Sequence, residues 1–294
     1  MLGALGGGTG IGGQWQSLAA SDVTVLIGGE TGSGKGAFAR SIHAESRRSA
    51  APFVVADCSA LPASLFESQM FGHAKGAFTG ASSERLGLVR AASGGTLFLD
   101  EVGELAPELQ AKLLTLLEDR TVLPVGCERR VSVDVRFIAA THRSLQSMVQ
   151  EGTFREDLYY RLAVVELDIP PLRERQDELP GLIDALIDRK ARLLHVQSRP
   201  ASPEFVAALR AYDWPGNIRE LGNCIERALV LATGETLDID ALPYRVRNAG
   251  QSPTARTSID DAIKEAGGNK AAAARTLGIS RRHLYRLLNE RASN

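Results

Sequence analysis

The chain has 294 residues, 44% of them hydrophobic, which is enough for about two domains with buried cores. Its formal charge of −1 names no partner, and its three widely spaced cysteines argue against a disulfide framework or a Cys-x-x-Cys zinc site. No apolar run reaches the roughly 18 residues of a membrane span, and the first residues lack the basic and apolar regions of a signal peptide. We therefore expect a cytoplasmic protein with no membrane partner.

Short apolar segments alternate with helical patterns through the first two thirds of the chain. Near-continuous apolar strands separated by helices predict a parallel sheet covered on both faces, so the fold class is α/β. After Pro170 and Pro171 the pattern becomes helical only, and Gly216 or Asn217 is a candidate cap for the last of these helices. The predicted strands are VTVLI at 23–27, PFVVA at 52–56, TLFLD at 96–100, VRFIAAT at 135–141 and VVELDI at 164–169.

These patterns divide the chain into four parts. Residues 1–172 form the α/β part, 173–244 an all-helical subdomain, 245–257 a polar linker without periodicity, and 258–294 a small helical module. The last module carries seven Lys or Arg against four Asp or Glu. A basic terminal module is one signature of nucleic-acid binding, although such a surplus also occurs on inert surfaces.

The segment VTVLIGGETGSGKG places a glycine-rich loop between a predicted strand and a predicted helix. This is P-loop spacing, in which backbone N–H groups and a helix N-terminus cradle phosphates and the lysine reaches the outer phosphates. A glycine-rich turn with a surface lysine is the competing interpretation. Gly36 departs from the general pattern, which has a hydroxyl residue there to touch Mg²⁺. The predicted nucleotide-binding residues are Gly29, Glu30, Thr31, Gly32, Ser33, Gly34, Lys35 and Gly36.

Two further segments complete the α/β part. GGTLFLDE ends a predicted strand on Asp100 and Glu101, beside the expected phosphates. We expect Asp100 to hold Mg²⁺, directly or through water, and Glu101 to polarise the attacking water of a hydrolysis reaction; a plain surface acidic pair is the alternative. GHAKGAFTGA, at 72–81, has a composition that suits an exposed turn and contains one aromatic ring, Phe78.

The final module is predicted to contain a helix at 258–266, a second at about 270–276 and a third capped by Ser280. Gly278 stands where a helix-turn-helix makes its sharp turn, and the third helix carries basic residues near its N-terminal half, as a recognition helix does. A protein-docking helical hairpin is the alternative. The candidate DNA-binding residues are Ser280, Arg281, Arg282, His283, Tyr285 and Arg286.

In order and spacing, these motifs resemble the AAA+ ATPases that activate transcription by sigma-54 RNA polymerase, the bacterial enhancer-binding proteins. The resemblance covers residues 20–243, and the last module resembles the Fis-type helix-turn-helix that usually follows. The motifs that carry it are GETGSGKG, ESQMFGHAKGAFTGA, GGTLFLDEVGEL, VRFIAATH, GTFREDLYYRL, PPLRER and WPGNIREL.

The resemblance implies roles for residues that composition leaves unassigned. Arg155 and Arg161 look like arginine fingers that reach a neighbouring subunit's γ-phosphate, which implies a ring, typically a hexamer. Arg219 resembles the sensor II arginine, and residues 119–133 resemble a hairpin beside the GAFTGA loop. That loop would contact sigma-54 through Gly76, Ala77, Phe78, Thr79, Gly80 and Ala81.

Several positions depart from the family pattern. Asp57 and His142 stand where Asn is usual, and the position of Asp57 is the one that holds the catalytic glutamate in check in relatives. Gly36 replaces a usual Glu. Residues 3–13 contain seven glycines where relatives carry a helix near the adenine, which predicts a weakened nucleotide site. We expect no sensory domain before the ATPase, so that control comes from another protein or the chain belongs to a longer regulator.

The leading hypothesis is an ATP- and Mg²⁺-dependent activator that binds double-stranded DNA upstream of a promoter and remodels sigma-54 holoenzyme. A DNA-binding regulator with weakened or lost ATPase activity is the alternative that Gly36 and the glycine-rich start motivate. An AAA+ unfoldase or helicase loader fits the P-loop and the carboxylates but not GAFTGA.

Overall fold

The structure is a computed structural model that describes residues 15–59, 62–78, 81–249, 263–264, 266–276 and 284. Within these residues the chain divides into two compact units, of which the first contains residues up to 175 together with 216–220. The second contains 176–215 and the residues from 221 onward. The predicted boundary at 172 lies close to this division, but the first turn of a later helix belongs with the α/β part.

The first unit is built on a parallel sheet of five strands: β1 (Val25–Gly28), β2 (Phe53–Asp57), β3 (Thr96–Asp100), β6 (Arg136–Thr141) and β7 (Val165–Asp168). Their order across the sheet is β2-β3-β6-β1-β7, and each neighbouring pair is parallel. All five predicted strands are confirmed with ends shifted by at most two residues. The helices between parallel strands cover both faces of the sheet, which explains why the strands are near-continuous apolar runs.

The helices of this unit are α1 (Trp15–Ala20), α2 (Lys35–Ala44), α3 (Ala63–Phe71), α4 (Leu88–Ala91), α5 (Pro107–Asp119), α6 (Leu145–Gln150) and α7 (Glu156–Leu162). Side chains of β3 alternate between two cores. Leu97 and Leu99 pack into the larger one with Leu113 of α5, and Phe98 packs into the other with Phe38 of α2. This alternation fixes which helix lies on each face of the sheet.

A short antiparallel hairpin interrupts the alternation between α5 and β6. Strands β4 (Thr121–Val122) and β5 (Val131–Ser132) pair in it, which confirms the predicted hairpin at 119–133.

The second unit is helical, with α8 (Leu179–Leu194), α9 (Pro203–Arg210), the rest of α10 (Asn217–Leu231), α11 (Tyr244–Arg247) and α12 (Lys270–Thr276). Ser202 caps α9 by accepting a hydrogen bond from the Phe205 N–H, and Pro203 begins that helix. Residues 245–247, the first three of the predicted linker, lie in α11, where Val246 is buried. In the final module, Leu284 is buried in a cluster with Ala273 and Ala274.

None of the described helices is long and apolar enough to cross a membrane.

Candidate active site

The P-loop is placed by β1, which ends at Gly28, and α2, which begins at Lys35. Gly29, Gly32 and Gly34 have φ of 141°, 80° and 105°, a backbone conformation that side chains disfavour. A Cβ atom at Gly29 would lie 2.7 Å from the Ile169 carbonyl, and one at Gly32 would lie 2.5 Å from the Gly216 carbonyl. The backbone conformation therefore favours glycine at all three positions, and the lack of space for a Cβ atom also requires it at Gly29 and Gly32.

Lys35 lies across this loop and is almost fully buried. Its Nζ donates to the Gly29 carbonyl at 2.9 Å and to the Glu30 carbonyl at 3.2 Å, and it lies 3.5 Å from Oε1 of Glu101. The hydroxyl of Ser33 is also buried, and no hydrogen-bond partner for it is found in the described part of the chain. A buried cation and an unsatisfied donor beside a helix N-terminus fit an anionic ligand such as a polyphosphate.

Glu30 is fixed by contacts far away in sequence. Two nitrogens of Arg173 donate to its carboxylate at 3.0 and 2.7 Å, and Nδ2 of Asn217 donates at 2.9 Å. These hydrogen bonds, the one from Arg173 first, lower the pKa of Glu30 to about 2. Asn217 also accepts the N–H of Leu172 at 2.7 Å, so one amide joins the P-loop to the segment after β7.

Asn217 and Arg173 are site residues that the sequence argument missed. Asn217 was considered as a helix cap, but α10 begins at Asn217 itself, and its side chain bonds Leu172, Glu30 and Thr31 instead. The capping bond here comes from Glu220, whose Oε2 accepts the Gly216 N–H at 2.9 Å. Asn217 and Glu30 are 187 positions apart, a distance at which spacing carries no signal.

Asp100 and Glu101 lie at the carboxyl edge of the sheet, as predicted, because β3 runs parallel to its neighbours. Glu101 has a φ of 55°. Its Oε2 accepts a hydrogen bond from the backbone N–H of His142 at 3.1 Å and lies 2.7 Å from His142 Nδ1, with which it forms a second hydrogen bond. Burial raises the pKa of Glu101, but the hydrogen bond from His142 and the charge of Lys35 outweigh it, so the net direction is downward. Glu101 is thus held as a carboxylate.

Asp57, for which the family resemblance implied restraint of the glutamate at 101, makes other contacts in the structure. It is the register partner of Asp100, and its Oδ1 accepts the N–H and hydroxyl of Ser59 at 2.9 and 2.7 Å. The described contacts of the Glu101 carboxylate are instead with His142 and Lys35. Two carboxylates cannot hydrogen-bond each other when both are ionised, and His142 supplies the donor that Asp57 lacks.

Asp100 is the candidate metal ligand. Burial first, and then the charge of Glu101, raise the pKa of its carboxyl, with Lys35 opposing them. A divalent cation would offset both effects, and Mg²⁺ commonly takes one or two carboxylates with phosphate oxygens and water. Gly36 offers no hydroxyl, and no group of three or more acidic, His or Cys side chains capable of holding a metal occurs among the described residues. The site therefore fits Mg²⁺ that arrives with a phosphate ligand.

The two predicted arginine fingers point to other partners within this chain. Arg155 is about half exposed and pairs with Asp157 at 3.0 and 2.7 Å, and Arg161 donates to the Leu117 carbonyl at 3.2 and 3.4 Å. Arg219, in contrast, lies beside the P-loop. A Cβ atom added at Gly32 would be 3.0 Å from the Cβ atom of Arg219. The structure therefore brings Arg219 to the P-loop and leaves Arg155 accessible.

The GAFTGA loop emerges where Gly72 and Gly87 cross. Both have φ near 80°, and a Cβ on Gly87 would lie 2.4 Å from the Gly72 backbone nitrogen. Beyond the crossing, His73 bonds the Ser68 hydroxyl at 2.7 Å, and the ring of Phe78 stands edge-on to it with centroids 5.0 Å apart. Phe78 remains 41% exposed. Thr79 and Gly80 lie outside the described residues.

The other predicted residues of this loop, Gly76, Ala77 and Ala81, form a turn. The N–H of Gly76 donates to the Ala81 carbonyl at 2.8 Å, and the N–H of Ala81 donates to the Phe78 carbonyl at 3.0 Å. The predicted DNA-binding residues, 280–283 and 285–286, and the glycine-rich start at 3–13 fall outside the described residues.

The sheet order, the P-loop on β1, the acidic pair after β3 and the helical unit later in the chain define an AAA+ P-loop protein. Three family models match the chain: the sigma-54 interaction domain over residues 10–168, an AAA+ ATPase lid domain over 173–259, and the Fis family of bacterial regulatory proteins over 256–290. The chain belongs to the sigma-54 interaction domain family.

Curated relatives agree with this family. The transcriptional regulatory protein ZraR of Escherichia coli is 46% identical over 92% of this chain, and the regulatory protein AtoC of the same organism is 44% identical over 93%. This chain covers 64% and 63% of those proteins. Crystal structures of NtrX from Brucella abortus with ADP and with ATP are 32% identical, have TM-scores of 0.73 and 0.74, and align with 94% of this chain and 66% of theirs.

Proposed function

We propose that the protein is an ATPase that uses hydrolysis to remodel sigma-54 RNA polymerase holoenzyme and thereby activates transcription. The observation that carries this proposal is the joint placement of Lys35, Glu101 and His142 at the end of the sheet whose β2–β3 connection contains the GAFTGA loop. Of the proteins named above, ZraR is a transcriptional regulatory protein, and NtrX was crystallised with ATP.

The chain's own residues account for each requirement of hydrolysis. The N–H groups of the P-loop and the N-terminus of α2 would cradle the phosphates, and Lys35 would leave its carbonyl partners to neutralise the outer ones. Glu101 would take a proton from the attacking water while the water oxygen bonds to the γ-phosphorus and the β–γ bridging oxygen leaves with ADP. Asp100, together with the phosphates, would hold Mg²⁺, which would supply charge neutralisation.

We also propose a ring assembly, a hexamer in the form typical of the family, in which the fingers act between subunits. Arg155 is about half exposed and pairs with Asp157, a contact that its guanidinium would exchange for a neighbouring subunit's γ-phosphate. Arg161, bonded to a carbonyl of α5, is the second candidate. A guanidinium supplied in trans stabilises the charge of the transferring phosphoryl group. Arg219, beside the P-loop, would sense the nucleotide within its own subunit.

Phe78 and its neighbours would contact sigma-54, and the helix-turn-helix at 258–294 would hold the protein on double-stranded DNA upstream of the promoter. We place this activity in the cytoplasm, where the polymerase acts.

The test is transcription in vitro with sigma-54 holoenzyme, with ATP hydrolysis measured in parallel. We expect Glu101→Gln to lose hydrolysis by about 10²- to 10⁴-fold, the usual contribution of a general base, and to lose activation with it. Phe78→Ala is expected to hydrolyse ATP and fail to activate. Tyr244→Ala removes an equally exposed aromatic ring elsewhere on the chain, 42% against 41%, and should keep both ATP hydrolysis and activation at the wild-type level.

Two outcomes would contradict the proposal. If Phe78→Ala activated transcription at the wild-type level, the proposed contact of the GAFTGA loop with sigma-54 would be wrong. Hydrolysis by the wild-type protein no faster than by Glu101→Gln would instead favour a DNA-binding regulator without ATPase activity.

A further inference from the structure

Gln110, on α5, is a buried amide whose hydrogen bonds join two segments of the ATPase. It is 1% exposed. Its Nε2 donates to the carbonyls of Leu105 and Thr153, each at 3.1 Å, and its Oε1 accepts the backbone N–H of Arg155 at 2.9 Å. One side chain therefore uses two donors and one acceptor on backbone groups that are 5, 43 and 45 positions away.

The two segments that Gln110 joins have different parts in the reaction. Leu105 closes the short 3₁₀ turn at 102–104 that follows Glu101, so it belongs to the segment that carries the proposed general base. Thr153 and Arg155 lie just before α7, which begins at Glu156, and Arg155 is the proposed finger. The backbone of Arg155 is fixed by Gln110 while its guanidinium is about half exposed and pairs with Asp157.

Only a primary amide satisfies this arrangement. A glutamate has the same shape but loses both donors and would direct a carboxylate at two carbonyl oxygens, and a leucine loses all three bonds. Buried backbone groups without partners are unfavourable, so either change should displace the Thr153–Arg155 backbone toward other partners. A shift of about 1 Å in a group that must meet the transition state lowers rates by about 10²-fold.

We propose that Gln110 is a positioning residue that sets Arg155 for its action on the neighbouring subunit, and that links its placement to the segment behind Glu101. This inference rests on the proposed function, because it requires a ring in which fingers act in trans. The prediction is specific: a Gln110 variant has a sound nucleotide site of its own and fails as a finger donor.

Subunit mixing tests that prediction with the full-length chain. Gln110→Leu alone is expected to lose roughly 10- to 100-fold in kcat with little change in KM for ATP. Glu101→Gln subunits hydrolyse ATP at least about 10²-fold more slowly than wild type but carry a normal finger. Mixed in equal amounts, Gln110→Leu and Glu101→Gln should recover about a quarter of wild-type hydrolysis. In a randomly mixed symmetric ring, about half of the subunits have an intact nucleotide site, and about half of those have a neighbour with an intact finger.

Two controls calibrate the mixture. Arg155→Ala mixed with Glu101→Gln measures complementation when the finger itself is missing. Thr115→Val removes a side-chain bond that α5 makes to its own Ala111 carbonyl and should leave hydrolysis unchanged. If Gln110→Leu does not assemble, Gln110→Glu replaces it, because it keeps the shape and the acceptor.

The outcomes separate the inference from the function beneath it. The inference is supported if ATP hydrolysis recovers in both mixtures with Glu101→Gln, the one that contains Arg155→Ala and the one that contains the Gln110 variant. Recovery by Arg155→Ala alone overturns it, since Gln110 then acts within its own subunit's site or in folding. Failure of Arg155→Ala to recover removes the trans finger from the proposed function, and the inference with it.

Discussion

Replacing Asn217 with alanine removes three hydrogen bonds from one buried amide. Its Oδ1 accepts the Leu172 N–H, and its Nδ2 donates to Glu30 and to the Thr31 carbonyl. Asn217 is also fully buried at φ of 51°, a left-handed conformation that asparagine tolerates better than alanine. Alanine therefore loses the hydrogen bonds and adds backbone strain at the same position.

The cost follows from two contributions. A buried backbone N–H left without a partner, here that of Leu172, costs about 1–3 kcal/mol. Alanine in the left-handed region costs a further 1–2 kcal/mol or so relative to a residue that tolerates it. The bond to Glu30 adds little to stability, because water replaces the lost donor at an exposed carboxylate that keeps Arg173. The expected loss in unfolding free energy is about 2–5 kcal/mol.

Urea unfolding followed by circular dichroism measures this loss, and Asn217→Gly separates its two parts. Glycine removes the hydrogen bonds but accepts the left-handed backbone, so Asn217→Gly should be more stable than Asn217→Ala by about 1 kcal/mol. ATP binding should weaken in both, since the P-loop loses the amide that holds Glu30 and Thr31. A loss below about 1 kcal/mol in both variants would show that Leu172 finds another acceptor, and the reasoning would fail.

Gly87→Ala should destabilise the protein by about 3 kcal/mol or more, because the added Cβ meets Gly72 and Phe71 backbone atoms at 2.4 and 2.6 Å in a strained conformation. Gly76→Ala, with φ of 82° and nothing within 4 Å, should cost only about 1–2 kcal/mol, and equal melting temperatures for the two would contradict this. Glu30, whose pKa falls from 4.5 unfolded to about 2 folded, stabilises the protein above pH 4.5 and loses that effect as the pH falls toward 2. The melting-temperature difference between wild type and Glu30→Gln should accordingly shrink over that range, and a constant difference would falsify the assignment.

Local features of the fold were readable in the sequence because they depend on neighbouring residues. The strand before Asp100 is an apolar run that ends on two carboxylates, and the P-loop is a glycine pattern between a strand and a helix. Both patterns constrain backbone torsions within a few residues, and both elements lie where they were predicted. Residues 245–247 differ, because their polar composition gave no periodic pattern although the segment lies in α11 with Val246 buried.

Contacts across the sheet were not readable in this way. His142 was noted as a departure from the family pattern, yet nothing in its spacing indicated that it would bond the carboxylate of Glu101, 41 positions earlier. Gln110 lay in an ordinary amphipathic helix, and its role depends on which carbonyls the packing of α5 and α7 brings to its amide. In each case the residue type was visible and the partner was not.

The sequence by itself determined the class of protein, the strands, the phosphate loop and the acidic pair, because these follow from periodicity and from short motifs with fixed chemistry. The tertiary structure alone decided which group holds Glu101, what fixes Glu30 and what anchors the backbone of Arg155. The physical reason is that a parallel sheet brings the carboxyl ends of distant strands to one edge, and only the register of Gly28 with Thr141, and of Asp57 with Asp100, specifies which side chains meet there.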